Sequence, residues 1–361
     1  MLQYIIWDAS PEIFRIGWFA LRWYGLLFAL GFLFGYNIMA RIFKWEGKPE
    51  KDLDRLFLFT IISTVVGARL GHVFFYEPAD YLANPIKILM VWEGGLASHG
   101  AAVAILIGIY LYARSSKGQS FWWVMDRLVI TVALGGALIR TGNLMNSEII
   151  GKPFAGSYAL AFTHSLDDAL ESSYPEIKFK YARKTAGAGK DTLIKGITYK
   201  PIQIDLYFQD KTSPEVATQF TQTQVQYLIN QGSEVQKHYS TLGKPLKIKT
   251  IEDKNYTIIR TDAYTIPRHA GQFYEGISCF LLFGFLFLLY KRQKERTPEG
   301  QLFGIFMIVC FGLRFFYEFL KENQVDFESK LTYNMGQLLS IPAILIGVVV
   351  LIISFMRKKT K

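Results

Sequence analysis

The stretch Phe121-Trp-Trp-Val-Met-Asp-Arg-Leu-Val-Ile-Thr-Val-Ala-Leu-Gly-Gly-Ala-Leu-Ile-Arg140-Thr-Gly-Asn-Leu-Met-Asn-Ser-Glu-Ile-Ile-Gly151 is an apolar run that breaks into polar sequence. From Phe121 to Ile139 its only charges are Asp126 and Arg127, both near the start. Such a run can span a bilayer and deliver Arg140 to the far interface. Asn143, Asn146 and Glu148 follow within about two helical turns, while Gly142 and Gly151 permit tight backbone geometry or close approach of a ligand. The junction is therefore the candidate active site. The bland alternative is a helix end with a snorkelling arginine and a polar loop.

The rest of the chain has the same character. With 361 residues, 51% hydrophobic and 16% aromatic, and its apolar residues gathered in blocks, it reads as a multi-spanning membrane protein. The net charge of +10 sits largely in short loops between those blocks. It therefore reports topology and contact with membrane lipids, and nucleic acid is not an expected partner. Cys279 and Cys310 fall inside apolar blocks without metal-ligand or redox spacing, so no disulfide framework or metal site is expected. No cleavable leader is expected either, because Asp8, Pro11, Glu12 and Arg15 precede the first apolar block.

About seven blocks approach spanning length, at roughly 18–40, 55–75, 96–113, 121–139, 271–290, 301–320 and 334–356. Arg41, Lys44, Lys48, Lys51 and Arg55 crowd one loop; Arg114 and Lys117 another; Lys291, Arg292, Lys294 and Arg296 a third; and Arg357, Lys358, Lys359 and Lys361 the tail. The intervening 76–95 loop carries only Lys87. The positive-inside rule then predicts an all-α polytopic membrane protein with N-terminus out and C-terminus in. The expected division is membrane helices in 1–140, a signature loop and extracytoplasmic head in 141–270, and membrane helices plus a basic tail in 271–361.

The head is expected to be mixed α/β. Ile202, Ile204, Leu206 and Phe208 alternate with polar or amphipathic neighbours, as in a half-buried strand. Ser213 and Pro214 predict the cap and first turn of a helix running to about Asn230. Thr257–Arg260 reads as another strand, and 183–190 as a mobile loop. Gly31 and Gly35 predict close helix packing.

Charged side chains within apolar spans cost roughly 2.5–3.5 kcal/mol each on insertion scales, so each calls for a partner or a task. The topology puts Tyr24, Arg69, His99, Arg140, His269, Glu275, Arg314 and Glu318 toward the outer leaflet, with Asp126 and Arg127 at the cytoplasmic end. Arg140, Arg314 and Arg69 are candidates for a cationic pocket that holds a phospholipid phosphate. Arg314 and Glu318 are also spaced to neutralise each other on one helix. His72 and His164 fit structural roles. His99 follows Trp92-Glu93-Gly94-Gly95-Leu96-Ala97-Ser98, a glycine-rich entry that can line a cavity, and is the candidate base.

These residues resemble the phosphatidylglycerol–prolipoprotein diacylglyceryl transferases of the bacterial inner membrane. Arg140-Thr-Gly-Asn143-Leu-Met-Asn146-Ser-Glu148-Ile-Ile-Gly151 is similar to the family signature Gly-Arg-x-Gly-Asn-Phe-x-Asn-x-Glu-x-x-Gly. Further agreement lies in Trp23-Tyr24-Gly25-Leu26, Gly67-Ala68-Arg69-Leu70-Gly71, Trp92 through Gly100, Arg268-His269 with Gln272-Phe273-Tyr274-Glu275, Arg314 with Glu318, and Met335-Gly336-Gln337 with Ser340-Ile341-Pro342. The chain departs from the pattern at Ile139, Thr141, Ser147, Ala270 and Cys310, and its 165–262 region is a family-atypical extension.

The resemblance implies diacylglyceryl transfer from phosphatidylglycerol to the lipobox cysteine of a prolipoprotein signal peptide, forming a thioether and releasing glycerol phosphate. It implies a multi-pass enzyme of the inner membrane with its site facing the outer leaflet and no cofactor. His99, Arg140 and Arg314 are the expected catalytic residues; Arg140, Tyr24, Arg69, Asn143, Asn146, Glu148, Gly151 and Glu318 are the expected substrate contacts. The competing readings are an outer-leaflet phospholipid hydrolase, which would use water as nucleophile, and an anion or lipid transporter. No internal repeat of the kind many transporters show is present.

Overall fold

The computed structural model describes residues 4–17, 19–90, 94–95, 97–177, 179–209, 212–322 and 331–359. Trp92, Glu93 and Leu96 of the glycine-rich entry, and Lys361 of the basic tail, lie outside the described residues. The chain forms two compact units, each assembled from separate segments. One comprises Met1–Leu26, Arg140–Glu275 and Phe316–Asn334; the other comprises Leu27–Ile139, Gly276–Phe315 and Met335–Lys361.

Among the described residues, six helices are long and apolar enough to cross a membrane. They are α1 (Trp23–Trp45), α2 (Glu50–Phe75), α5 (Phe121–Met145), α9 (Gly271–Gln293), α10 (Gln301–Tyr317, continued by a 3-10 turn to Leu320) and α11 (Met335–Lys359). The expected third span is the shorter α4 (Ser98–Ser115), with a short α3 (Pro78–Ala83) ahead of it. The first span starts at Trp23, later than its apolar block. Phe19–Arg22 (β3) instead folds back on Glu12–Ile16 (β2) as a hairpin, with Gly17 at φ 59° in the turn.

Within the second unit, glycines set the helix spacing. A Cβ on Gly67 would stand 2.3 Å from Ala104 Cβ, and one on Gly71 would stand 2.7 Å from Gly100 Cα, so α2 and α4 touch along backbone. Gly31 lies 3.7 Å, measured in the same way, from Gly135 Cα of α5, and Gly35 lies 3.5 Å from Thr131. The predicted close packing is thus between α1 and α5. The charges expected at the inner end have structural partners. Asp126 accepts from the backbone N–H groups of Gly300 (2.6 Å) and Phe303 (2.9 Å). Arg127 donates three hydrogen bonds to Glu46 through Nε and Nη2, and Glu46 also accepts from Trp123 and Tyr290. Paired this way, two buried charges avoid much of their desolvation cost.

In the first unit, the head is a six-stranded sheet of order β5-β7-β10-β8, with β6 on β7 and β9 on β10. Its strands are β5 (Phe179–Ala186), β6 (Thr192–Ile194), β7 (Ile197–Phe208), β8 (Tyr239–Ser240), β9 (Ile248–Glu252) and β10 (Thr257–Thr265). The predicted alternation is realised in β7, where Ile202, Ile204, Leu206 and Phe208 are fully buried. The predicted helix forms as α7 (Pro214–Phe220), a π turn and α8 (Gln226–Gln231), with the Ser213 hydroxyl accepting from Val216 N–H at 3.3 Å. A further helix, α6 (Ser165–Ser173), packs its buried Leu166 and Leu170 into the same core. β1 (Ile5–Trp7) pairs in parallel with β4 (Leu160–Phe162).

The expectation of a mobile loop at 183–190 is corrected over its first half, which is strand β5. Lys184 there is buried, its ammonium bonded to Asp167 and 2.9 Å from Asp8. Two carboxylates distant in sequence thus compensate its burial.

Candidate functional site

The last turns of α5 carry Arg140 and Asn143 on one face, three residues apart, which suits contact between them. Arg140 Nη1 donates to Asn143 Oδ1 at 3.2 Å, and Nε lies 2.5 Å from Glu275 Oε2 on α9. Its Nη2 makes no hydrogen bond among the described residues. Asn143 Nδ2 and Asn146 Nδ2 each donate to Glu148, both at 3.0 Å, while Glu148 N–H donates back to Asn143 O at 3.0 Å. Gln272 donates to the Glu148 carbonyl.

These bonds hold a strained loop. Ser147 has φ 54° and Ile149 φ 56°, a left-handed backbone that costs an L-residue about 1–2 kcal/mol and is rare for a β-branched side chain. A glycine at position 147 would adopt this conformation without that cost. Gly142 lets Tyr24 approach, since a Cβ there would stand 2.9 Å from Tyr24 Cδ2 and 3.1 Å from its Cα. At Gly151 a Cβ would stand 2.4 Å from the His269 carbonyl oxygen, so only glycine fits.

Gly151 is positioned by two neighbouring segments. His269 N–H donates to Lys152 O at 3.1 Å, and Lys152 N–H to Leu320 O at 2.8 Å; Gly151 bridges Lys321. The His269 ring stacks on Phe154 with centroids 4.1 Å apart, and burial lowers its pKa. Lys321 is the residue that sequence reasoning missed. It is 2% exposed, and its ammonium lies on Glu275 and, at 2.8 Å, on Glu318 Oε1. Glu318 also accepts from Asn334 Nδ2 at 3.1 Å. The available signal was its spacing three residues after Glu318, but a lysine ending an apolar block reads first as a snorkelling anchor. Arg140, Glu275, Lys321 and Glu318 thus form a line of alternating charge.

Arg69, His99 and Arg314 belong to the second unit. Arg69 was expected to bind phosphate, but its donors are occupied by backbone carbonyls. It donates to Ile88 O (3.0 Å), Gly94 O (2.5 Å), Gly95 O (3.3 Å), Met90 O (3.0 Å) and Lys87 O, while its guanidinium lies 4.8 Å from the Tyr81 ring centroid. A guanidinium so committed holds the loop between α2 and α4 in shape. His99, on the first turn of α4, is exposed and meets Phe75 edge to face at 4.9 Å. Arg314 is half-buried, one turn before the end of α10. His72 lies against Tyr76 and, at 3.7 Å, Glu77, as its structural reading requires.

Two cavities accompany these groups, each within one unit. In the second unit, an apolar cavity of about 320 Å³ is lined by Phe28, Phe32, Met39, Ile105 and Ile139 among others, a surface suited to hydrocarbon. In the first unit, a mixed polar cavity of about 680 Å³ runs from Asn146 and Glu148 to α6 and the 3-10 turn Val235–Lys237. Asp8, His164 and Asp167 offer ligand atoms within 4.8 Å of one another. The Lys184 ammonium already lies on both of those carboxylates and supplies the cation there.

The family model described as prolipoprotein diacylglyceryl transferase matches residues 11–353. The chain is similar to proteins named phosphatidylglycerol–prolipoprotein diacylglyceryl transferase in three bacteria. It is 36% identical to that of Chloroherpeton thalassium over 97% of this chain and 94% of the relative. It is 33% identical to that of Tolumonas auensis over 98% and 99%, and 31% identical to that of Porphyromonas gingivalis over 96% and 93%.

Proposed function

This chain belongs to the prolipoprotein diacylglyceryl transferase family, and from that premise we propose that the Arg140 loop holds the donor's phosphate while His99 activates the acceptor thiol. The chain is a transferase that moves a diacylglyceryl group from phosphatidylglycerol to a prolipoprotein. The acceptor atom in this reading is the lipobox cysteine sulfur. His99 takes the thiol proton, and the thiolate attacks the glycerol carbon that bears the phosphate ester. A C–S bond forms as the C–O bond breaks. Glycerol phosphate leaves with the bonding pair and is protonated from His99 or water.

Negative charge grows on the departing phosphate as the bond breaks, so a fixed guanidinium stabilises the transition state more than the bound lipid. The observation that carries the assignment is the state of Arg140. Glu275 and Asn143 fix the guanidinium, and Nη2 makes no hydrogen bond among the described residues, so it is left to donate to a ligand. Arg314 is the second cation of this reading. Tyr24, Asn143, Asn146, Glu148 and Gly151 shape the loop and contact the headgroup hydroxyls, and Glu318 positions Lys321. Arg69 enters as the residue that shapes the α2–α4 loop and through it the entry to His99.

The chain is a multi-pass membrane protein by its six long apolar helices. In our reading α4 is a seventh span; its 18 residues rise ~27 Å, near the ~30 Å of a hydrocarbon core. The N-terminus then lies outside and the C-terminus inside, with the site at the outer leaflet of the bacterial inner membrane. The division into membrane helices 1–140, head 141–270 and membrane helices 271–361 follows from that topology. Product analysis tests the reaction: soluble glycerol phosphate must appear in step with lipidated acceptor. Glycerol phosphate released without acceptor modification would make the chain a hydrolase.

A further inference from the structure

The cavity of about 680 Å³ in the first unit joins the signature loop to the extension, and apart from Asn146 and Glu148 its lining residues are ones that the transfer chemistry does not use. Four of its lining side chains, Asn146 Oδ1, Ser147 Oγ, Ser165 Oγ and His238 Nδ1, present buried polar atoms with no hydrogen-bond partner. A buried polar atom left unsatisfied costs about 1–3 kcal/mol. Four around one cavity therefore mark a surface shaped for polar groups that are not part of the fold. His238 is 4% exposed, and burial among Arg268 and Lys237 pushes its pKa down to about 3, so it faces the cavity neutral. The set mixes acceptors with hydroxyls that both donate and accept, the complement of peptide N–H and C=O groups.

Charge narrows the choice of occupant. Glu148, Asp168, Glu234 and Glu322 line the cavity against the single ammonium of Lys237. The balance stays negative when Arg268, the partner of Glu322, is counted. Such a wall repels a phosphate and accepts a neutral or basic polypeptide. The cavity is also continuous with the site, because Asn146 and Glu148 belong to both.

We propose that this groove binds the polypeptide immediately following the acceptor cysteine, so that the extension reads the mature end of the prolipoprotein while the signature loop holds the lipid. The proposal rests on the transfer reading above. Ser172 and Asp168 line the groove from the solvent-exposed side of α6 and take no part in the chemistry.

The test uses the full chain in vesicles containing phosphatidylglycerol, with two acceptor peptides. One ends at the residue after the cysteine; the other continues for about ten residues, which reach ~33 Å when extended. The unaltered chain is expected to show a KM for the longer peptide about ten-fold lower, equivalent to ~1.4 kcal/mol. Ser172→Trp, which narrows the groove, and Asp168→Lys, which reverses its charge for a basic peptide, should each remove that advantage while kcat and the short peptide are unaffected. Equal KM values for both peptides in the unaltered chain overturn the proposal, as does an advantage that survives both variants. A change in the KM for phosphatidylglycerol instead would make the groove a lipid route and also overturn it. If neither peptide gains mass with the unaltered chain, the transfer reading itself fails, a result distinct from all of these.

Discussion

Replacing Lys321 by methionine keeps the stem and removes one charge from the line Arg140–Glu275–Lys321–Glu318. Glu275 and Glu318 are 6% and 7% exposed, so neither recovers solvation from water when its cation goes. Glu318 keeps Asn334 as a neutral donor, and Glu275 keeps Arg140. Breaking a buried ion pair from one side costs about 3–5 kcal/mol. At ~2 °C per kcal/mol, the low end for large domains, the thermal midpoint falls by ~6–10 °C. Glu275, no longer shared, also draws Arg140 more strongly, and turnover falls by about ten-fold, or ~1.4 kcal/mol on the barrier. Lys321→Arg restores charge and recovers most of the thermal loss. The measurements are thermal unfolding of the purified protein in detergent and the rate of lipid transfer to a lipobox peptide. A Lys321→Met protein with an unchanged midpoint and turnover would refute the reasoning, because the charge line would then be incidental.

Three further outcomes follow from particular residues. His99→Gln should depress turnover more than lipid binding, and the defect should shrink as pH rises and the acceptor thiol ionises unaided; a defect constant with pH makes His99 a binding or structural residue. At Ser147, φ 54° predicts that Ser147→Val lowers the thermal midpoint while Ser147→Gly does not, with a difference of about 1–2 kcal/mol; equal midpoints for the two contradict the strained loop. His238 has its pKa pushed from 6.5 down to about 3, so between those values the unfolded chain binds the more protons. Its contribution to stability is complete above the unfolded value and is lost as pH falls through that window. Thermal midpoints measured from pH 7 down to about pH 5 should decline more steeply in the unaltered chain than in His238→Gln, and parallel slopes would contradict this.

Much of the architecture was legible because it rests on local periodicity. The run Phe121–Ile139 is a helix that delivers Arg140, and Ile202, Ile204, Leu206 and Phe208 face a core. The Ser213 cap follows from side-chain chemistry alone. What the sequence hid depends on partners distant along the chain. Lys184 and Lys321 look like solvated lysines until Asp8, Asp167 and Glu275 are brought to them. Arg69 looked like a phosphate ligand because its true acceptors are backbone carbonyls, which leave no mark in residue identity. The β2–β3 hairpin was absorbed into the first apolar block because Phe19–Leu21 is as apolar as the helix that follows. The Arg140 loop was the most legible part of the site, since its amides, carboxylate and glycines lie within a dozen residues.

The central claim is that this chain moves a diacylglyceryl group onto a thiol with Arg140 as the fixed phosphate ligand. The direct measurement is mass spectrometry of a lipobox peptide incubated with phosphatidylglycerol and either the unaltered chain or Arg140→Lys, both shown to be folded and inserted. The account predicts that the unaltered chain adds one diacylglyceryl mass to the cysteine. Arg140→Lys should be slower by about 10²–10³-fold, because an ammonium cannot reproduce the guanidinium fork at the departing phosphate. A peptide left unmodified by the unaltered chain, or modified at near-normal rate by Arg140→Lys, would contradict it.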